Sequence, residues 1–95
     1  MIEYRFRETA KEALEELERV KSEEIISKIE DVAQTGFEHR DLRMIKDNHG
    51  EWLWRLKVDG DKTNHRIFLD YIENKIIVLD IIKREEAYKG KYGNG

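Results

Sequence analysis

Three stretches decide the fold: residues 51–58 (EWLWRLKV), 65–72 (HRIFLDYI) and 75–82 (KIIVLDII). The first alternates, with Trp52, Trp54, Leu56 and Val58 on one side and Leu53, Arg55 and Lys57 on the other. That period of two is the pattern of a half-buried β-strand. The second stretch alternates again, with Ile67, Leu69 and Tyr71 as its core set and Arg66 and Phe68 turned away. Glu73-Asn74 then reads as a two-residue hairpin turn. The third stretch is nearly all apolar, as expected of a central strand or one covered on both faces. Asp59-Gly60-Asp61 marks the loop between the first two strands.

Upstream the period changes to that of helices. Thr9 opens one, with Glu12 in the capping-box position, and Ala10, Ala13, Leu14, Leu17 and Val20 form a single apolar stripe. Glu15 and Arg19 make an i,i+4 pair on its outer face. Ser22 caps a second helix carrying Ile25, Ile26, Ile29, Val32 and Ala33, and Gly36 stops it. So short a connection predicts an antiparallel helix hairpin. Before these helices, residues 3–7 (EYRFR) alternate as a short strand, with Tyr4 and Phe6 on one side. After them come a polar connection (37–41), a short strand over 42–45 and a turn at Asn48-His49-Gly50. The expected fold is α+β: an N-terminal strand, an antiparallel helix hairpin, then a three- to four-stranded antiparallel sheet with the hairpin on one face. Residues 1–88 form a single domain, and residues 89–95 (KGKYGNG) a flexible C-terminal tail.

Composition narrows the function classes. Ninety-five residues are room for one domain, and 39% hydrophobic residues are too many for a disordered chain. The absence of cysteine removes disulfides, thiolate metal sites and thiol nucleophiles, and points to an intracellular, cytoplasmic protein. No apolar run approaches the roughly 20 residues that span a bilayer, and the charged start does not read as a signal peptide. The net charge is -3, but it is unevenly spread. Residues 1–45 carry 8 Lys+Arg against 12 Asp+Glu, while residues 46–95 carry 10 against 9. A local basic patch in the second half is compatible with that balance.

Alternation places such a patch. With the large apolar residues facing the helices, Arg55 and Lys57 take the opposite face. If the 58–65 loop closes symmetrically, Lys57 lies across from Arg66, and like charges directly opposite are destabilising. Folding alone gives no reason to collect them. Counting back from the second turn sets Arg66 across from Ile81, with Arg84 about 10 Å beyond Arg66 at strand rise. Lys83 and Arg84 head a segment ending in Tyr88 that can fold back over the sheet. A surface lined by Arg55, Lys57, Arg66 and Arg84, with Tyr88 to stack on a base, suits a phosphodiester held by guanidinium groups. The plainer alternative is a solvated cationic face neutralised by Asp59, Asp61, Asp70, Asp80 and Glu85.

The same residues carry a resemblance to the RelE/ParE toxin superfamily of type II toxin–antitoxin modules. It covers most of the chain, from Tyr4-Arg5-Phe6 to Tyr88. It is most specific at residues 53–58 (LWRLKV), at 65–68 (HRIF), and at 76–79 (IIVL) followed by Lys83-Arg84-Glu85 and Tyr88. The resemblance implies a RelE-like fold and an mRNA interferase, an endoribonuclease that cuts the message at the ribosome without a metal or other cofactor. In that chemistry the RNA 2′-hydroxyl attacks its adjacent phosphate. By position, Lys57 is then the candidate base and Arg66 a phosphate clamp. Arg84 serves the transition state or leaving group, and Tyr88 orients the nucleotide. Arg55 and Lys83 are candidate RNA-binding cations. The implied partners are a cognate antitoxin, mRNA and rRNA, and no membrane. A ParE-like gyrase inhibitor without nuclease activity and a partner-binding relic of the fold are the alternatives.

Other signals read as structural. His39, His49 and His65 show no metal-ligand spacing; His65, beside Arg66, is an auxiliary acid–base candidate only if its strand twists or bulges. Trp54 reads as core, and Trp52 less so. Glu15, Glu16, Glu18, Glu23 and Glu24 read as a solvated helix face. Lys89, Lys91 and Tyr92 in the tail are candidates to touch RNA.

Overall fold

The structure, a computed structural model, describes residues 1–61 and 63–93; the last two positions of the tail expected at 89–95 lie outside the described residues. Seven elements follow in order: β1 (Glu3–Phe6), α1 (Glu8–Glu15), α2 (Arg19–Thr35), β2 (Leu42–Lys46), β3 (Trp52–Asp59), β4 (Asn64–Ile72) and β5 (Lys75–Lys83). The strands form one mixed sheet in the order β1-β5-β4-β3-β2. β2 to β5 are antiparallel neighbours, as the sequence predicts. β1 joins as a fifth strand, parallel to β5. The helices carry the chain from one edge of the sheet to the other across a single face.

That face holds the main core. Ile25, Ile29 and Val32 of α2 and Ala10 of α1 pack with Leu56, Val58, Ile67, Leu69, Ile76 and Val78 of the sheet. Leu56, Ile67 and Ile76 are completely buried, which stabilises by roughly 1.5–3 kcal/mol each. Trp54 joins them edge-on to Phe37, with ring centroids 4.8 Å apart. Trp52 is 59% exposed, with the Lys46 ammonium 4.9 Å above its ring.

A second, smaller core covers the other face, where Ile45, Leu53, Phe68 and Leu79 meet Ala87 and Tyr92 from the segment after β5. Burial on both faces is the reason residues 75–82 carry almost no polar positions.

Three local expectations need correction. α1 starts at Glu8 after Arg7, without a side-chain cap from Thr9. α2 starts at Arg19 after an extended Glu18, so Ser22 lies within it and donates to the Arg19 carbonyl at 3.0 Å. This break resets the helical phase, and Val20 leaves the stripe for solvent at 59% exposure.

The third correction concerns register. Glu73 and Asn74, at φ 51° and 65°, make the expected tight turn and pair Ile72 with Lys75. Beyond it, Leu69 pairs with Val78 and Phe68 with Asp80, leaving Leu79 as a bulge. An extra residue on one strand shifts everything beyond it by one. Arg66 therefore lies opposite Ile82, not Ile81, and Lys83 opposite His65.

Candidate functional site: the cationic face of the sheet

The face away from the helices carries the cations. Lys57 of β3 and Arg66 of β4 are direct cross-strand partners, as alternation predicts. One row along, Arg43 of β2 is the direct partner of Arg55. The two rows are two residues apart, about 7 Å at strand rise. The face thus holds two like-charged cross-strand pairs side by side, an arrangement that opposes folding.

Their surroundings differ. Arg43 is exposed and Arg55 half-buried; the Arg55 Nε is buried without a hydrogen-bond partner. Among the described residues, neither arginine makes a salt bridge. Arg66 is only 7% exposed, far from the open surface cation that alternation alone suggests. Its Nη1 donates to Asp59 Oδ1 at 2.8 Å and to the His65 carbonyl at 3.0 Å. The hydrogen bond from Arg66 holds the Asp59 carboxyl below the usual carboxylate range. The charges of Arg66, Lys57 and Arg84 act in the same direction, against the opposing effect of burial. Three of the four predicted catalytic residues therefore act on one carboxylate.

Arg84 sits just past β5, exposed, with its backbone N–H donating to the Asn64 carbonyl at 2.9 Å. The chain then turns back across the sheet. Tyr88, 36% exposed, meets the Phe68 ring edge-on at 6.3 Å. Phe68 shares a row with Arg55, which places the Tyr88 ring beside the cations.

Further along, Tyr92 stacks on Phe68 with centroids 3.7 Å apart and planes 3° from parallel, and its hydroxyl donates to Asp80. Burial, then the Asp80 bond, push the Tyr92 phenol far up. The Asn48 N–H donates to the Lys91 carbonyl at 2.8 Å, tying the segment to the β2–β3 turn. Tyr92, expected in the mobile tail and as an RNA contact, is instead core and 2% exposed.

Lys83 is not brought to this face. The bulge turns it to the helix side, where it lines a groove of about 370 Å³ with Lys21, Leu17 and His65. His65 is 5% exposed, and its Nδ1 has no hydrogen-bond partner. Burial lowers its pKa first, and the charges of Lys21 and Lys83 lower it further. It faces away from the Lys57–Arg66 row and cannot serve chemistry there. Among the described residues, no group of three or more His, Asp or Glu is placed to hold a metal ion.

Sequence reasoning missed Arg43, and named Asp59 only as one of five acids available to neutralise the face. Arg43 was available: pairing residues 42–46 with 52–56 across the Asn48-His49-Gly50 turn puts it opposite Arg55. That Asp59 is the acid bonded to Arg66 could not be singled out, because the bond depends on where two loop-end side chains point.

The comparisons with known proteins bear on this geometry. No protein-family model and no curated protein matches the chain. Among solved structures, it superposes on a chain of the intact E. coli RelBE toxin–antitoxin complex. The TM-score is 0.58 at 16% identity, covering 87% of this chain and 96% of that one. The fold is RelE-like. In this RelE-like frame, Lys57 and Arg66 pair on the outer face, with the Arg43–Arg55 pair one row along and Arg84 just past the end of β5. Among the described residues, no helix is long and apolar enough to cross a membrane.

Proposed function

We propose that the chain is a toxin of the RelE type, a metal-independent endoribonuclease that cuts mRNA on the ribosome in the cytoplasm. The observation that carries this reading is the pairing of Lys57 with Arg66 beside that of Arg43 with Arg55 on one face. Such a face, on which Asp59 partners Arg66 and the Arg43–Arg55 pair has no salt bridge among the described residues, suits a polyanion.

In the proposed reaction Lys57 takes the proton from the ribose 2′-hydroxyl, whose oxygen attacks the adjacent phosphorus. The bond to the 5′-oxygen breaks, leaving a 2′,3′-cyclic phosphate. The departing 5′-oxygen takes a proton from solvent to become the 5′-hydroxyl, while Lys57 returns its proton to solvent. Arg66 and Arg84 stabilise the charge that develops on the phosphorane oxygens. Tyr88 stacks on and orients a base. Arg55 and Arg43 hold the flanking backbone. Lys83, on the opposite face, has no role in this arrangement.

An antitoxin is the proposed protein partner. Part of it would lie over the cationic face and block access to RNA. The experiment is induced expression of the parent and of Lys57→Ala, Arg66→Ala and Arg84→Ala, reading growth and message integrity. A toxic parent with codon-phased message breaks, both lost in the variants, supports the reading. Equal toxicity in all four proteins excludes this site. Toxicity with intact messages and inhibited gyrase would select the ParE-like alternative.

A further inference from the structure

The Arg66 guanidinium is already occupied. Its side chain is 9% exposed, while that of its partner Asp59 is 35% exposed. The cation is therefore enclosed, and the carboxylate that covers it stands at the solvent side. Asp59 is the last residue of β3 and an exposed position, so its side chain can turn outward. The same carboxylate feels the charges of Lys57 and Arg84 as well as Arg66. It thus sits where the fields of three cations act together, a favourable position for an anion.

We infer that Asp59 is the resident anion of the site: it occupies the place a substrate phosphate takes, and binding exchanges the carboxylate for a phosphate on Arg66. The inference rests on the ribonuclease reading for the identity of the substrate, while the exchange itself concerns phosphate anions in general. It explains how Lys57 and Arg66 remain tolerable neighbours in the free protein. A cation this enclosed needs a partner whenever RNA is absent. It also gives Asp59 a function, that of lowering the affinity of the face for stray polyanions.

The test titrates inorganic phosphate, and separately an oligoribonucleotide with a 2′-deoxy sugar at the cleavage position, into the parent, Asp59→Asn and Asp59→Glu. Asn retains an oxygen that accepts from Arg66 and removes only the charge. Asp59→Asn is expected to bind both probes about tenfold more tightly, with Asp59→Glu close to the parent. Equal or weaker binding by Asp59→Asn overturns the inference and makes Asp59 an orienting group for Arg66. A measurement on the parent alone guards against a misfolded variant. The Asp59 carboxyl carbon, followed by NMR, is expected to move towards its value in an exposed aspartate as phosphate is added, and a carboxyl that stays fixed overturns the exchange. Phosphate exchange without message cutting would sink the nuclease reading only; message cutting with an unmoved Asp59 would sink the exchange only.

Discussion

Lys57 and Arg66 face each other across two strands, and the consequences of that pairing are separable by substitution. Lys57→Ala or Arg66→Ala is expected to lower message cutting by about 10²-fold or more, the scale for losing a general base or one group that stabilises transition-state charge. Arg43→Ala is expected to weaken RNA binding and leave the cleaved position unchanged, as checked by mapping message ends. His65 governs a different observable. Its folded pKa lies below the usual value, so as pH falls from about 6.5 the unfolded chain takes up the proton first, and stability is lost. Lys21 and Lys83 deepen that effect and Glu85 opposes it. Urea unfolding midpoints should fall between about pH 7.5 and 5.5 in the parent, and His65→Gln should flatten the slope. Asp59 acts lower on the scale. Its lowered pKa stabilises the fold above the ordinary carboxylate range near 4, and that contribution disappears as pH falls through the folded value. At this scale the Lys57–Arg66 pair was legible because alternation and a symmetric loop fix it. The Asp59–Arg66 bond was not, since rotamers at a strand end leave no trace in residue order.

The elements that decide which cations reach the site are β5 and the segment after it. The bulge at Leu79 turns Ile82 to the outer face and Lys83 to the helix side. A strand apolar on both faces has no alternation, so a slip of one residue is invisible in KIIVLDII. The hairpin turn before it was legible because a two-residue loop flanked by apolar runs has few solutions. The segment's end was not, because a glycine-rich tail reads as mobile unless Phe68, far away in sequence, is known to lie beneath Tyr92. The Tyr92–Phe68 stack predicts that Tyr92→Ala costs about 3–5 kcal/mol, the range for emptying an aromatic site. Tyr92→Phe keeps the stack and loses the bond to Asp80, a hydrogen bond to a carboxylate, costing about 1.5–3 kcal/mol. Urea denaturation of both variants checks the order. A Tyr92→Ala protein as stable as the parent would mean that the segment does not pack on the sheet in solution.

At the scale of the whole molecule, an acidic chain with a pI near 5.7 presents a cationic face because its charges are sorted by layer. Residues 1–45, which include both helices, carry 12 Asp+Glu against 8 Lys+Arg. The sheet turns Arg43, Arg55, Lys57 and Arg66 away from those helices. RNA affinity should then follow the local patch: with three or four phosphate contacts, the slope of log affinity against log salt should be about -2 to -3. The measurement that tests this sorting most directly is backbone and side-chain NMR of the protein titrated with a single-stranded RNA blocked by a 2′-deoxy sugar at the cleavage position. The account predicts that perturbations cluster at Arg43, Arg55, Lys57, Arg66, Arg84 and Tyr88, with the helix side silent. Perturbations centred instead on Lys21, His65 and Lys83, or absent from the sheet altogether, would contradict it.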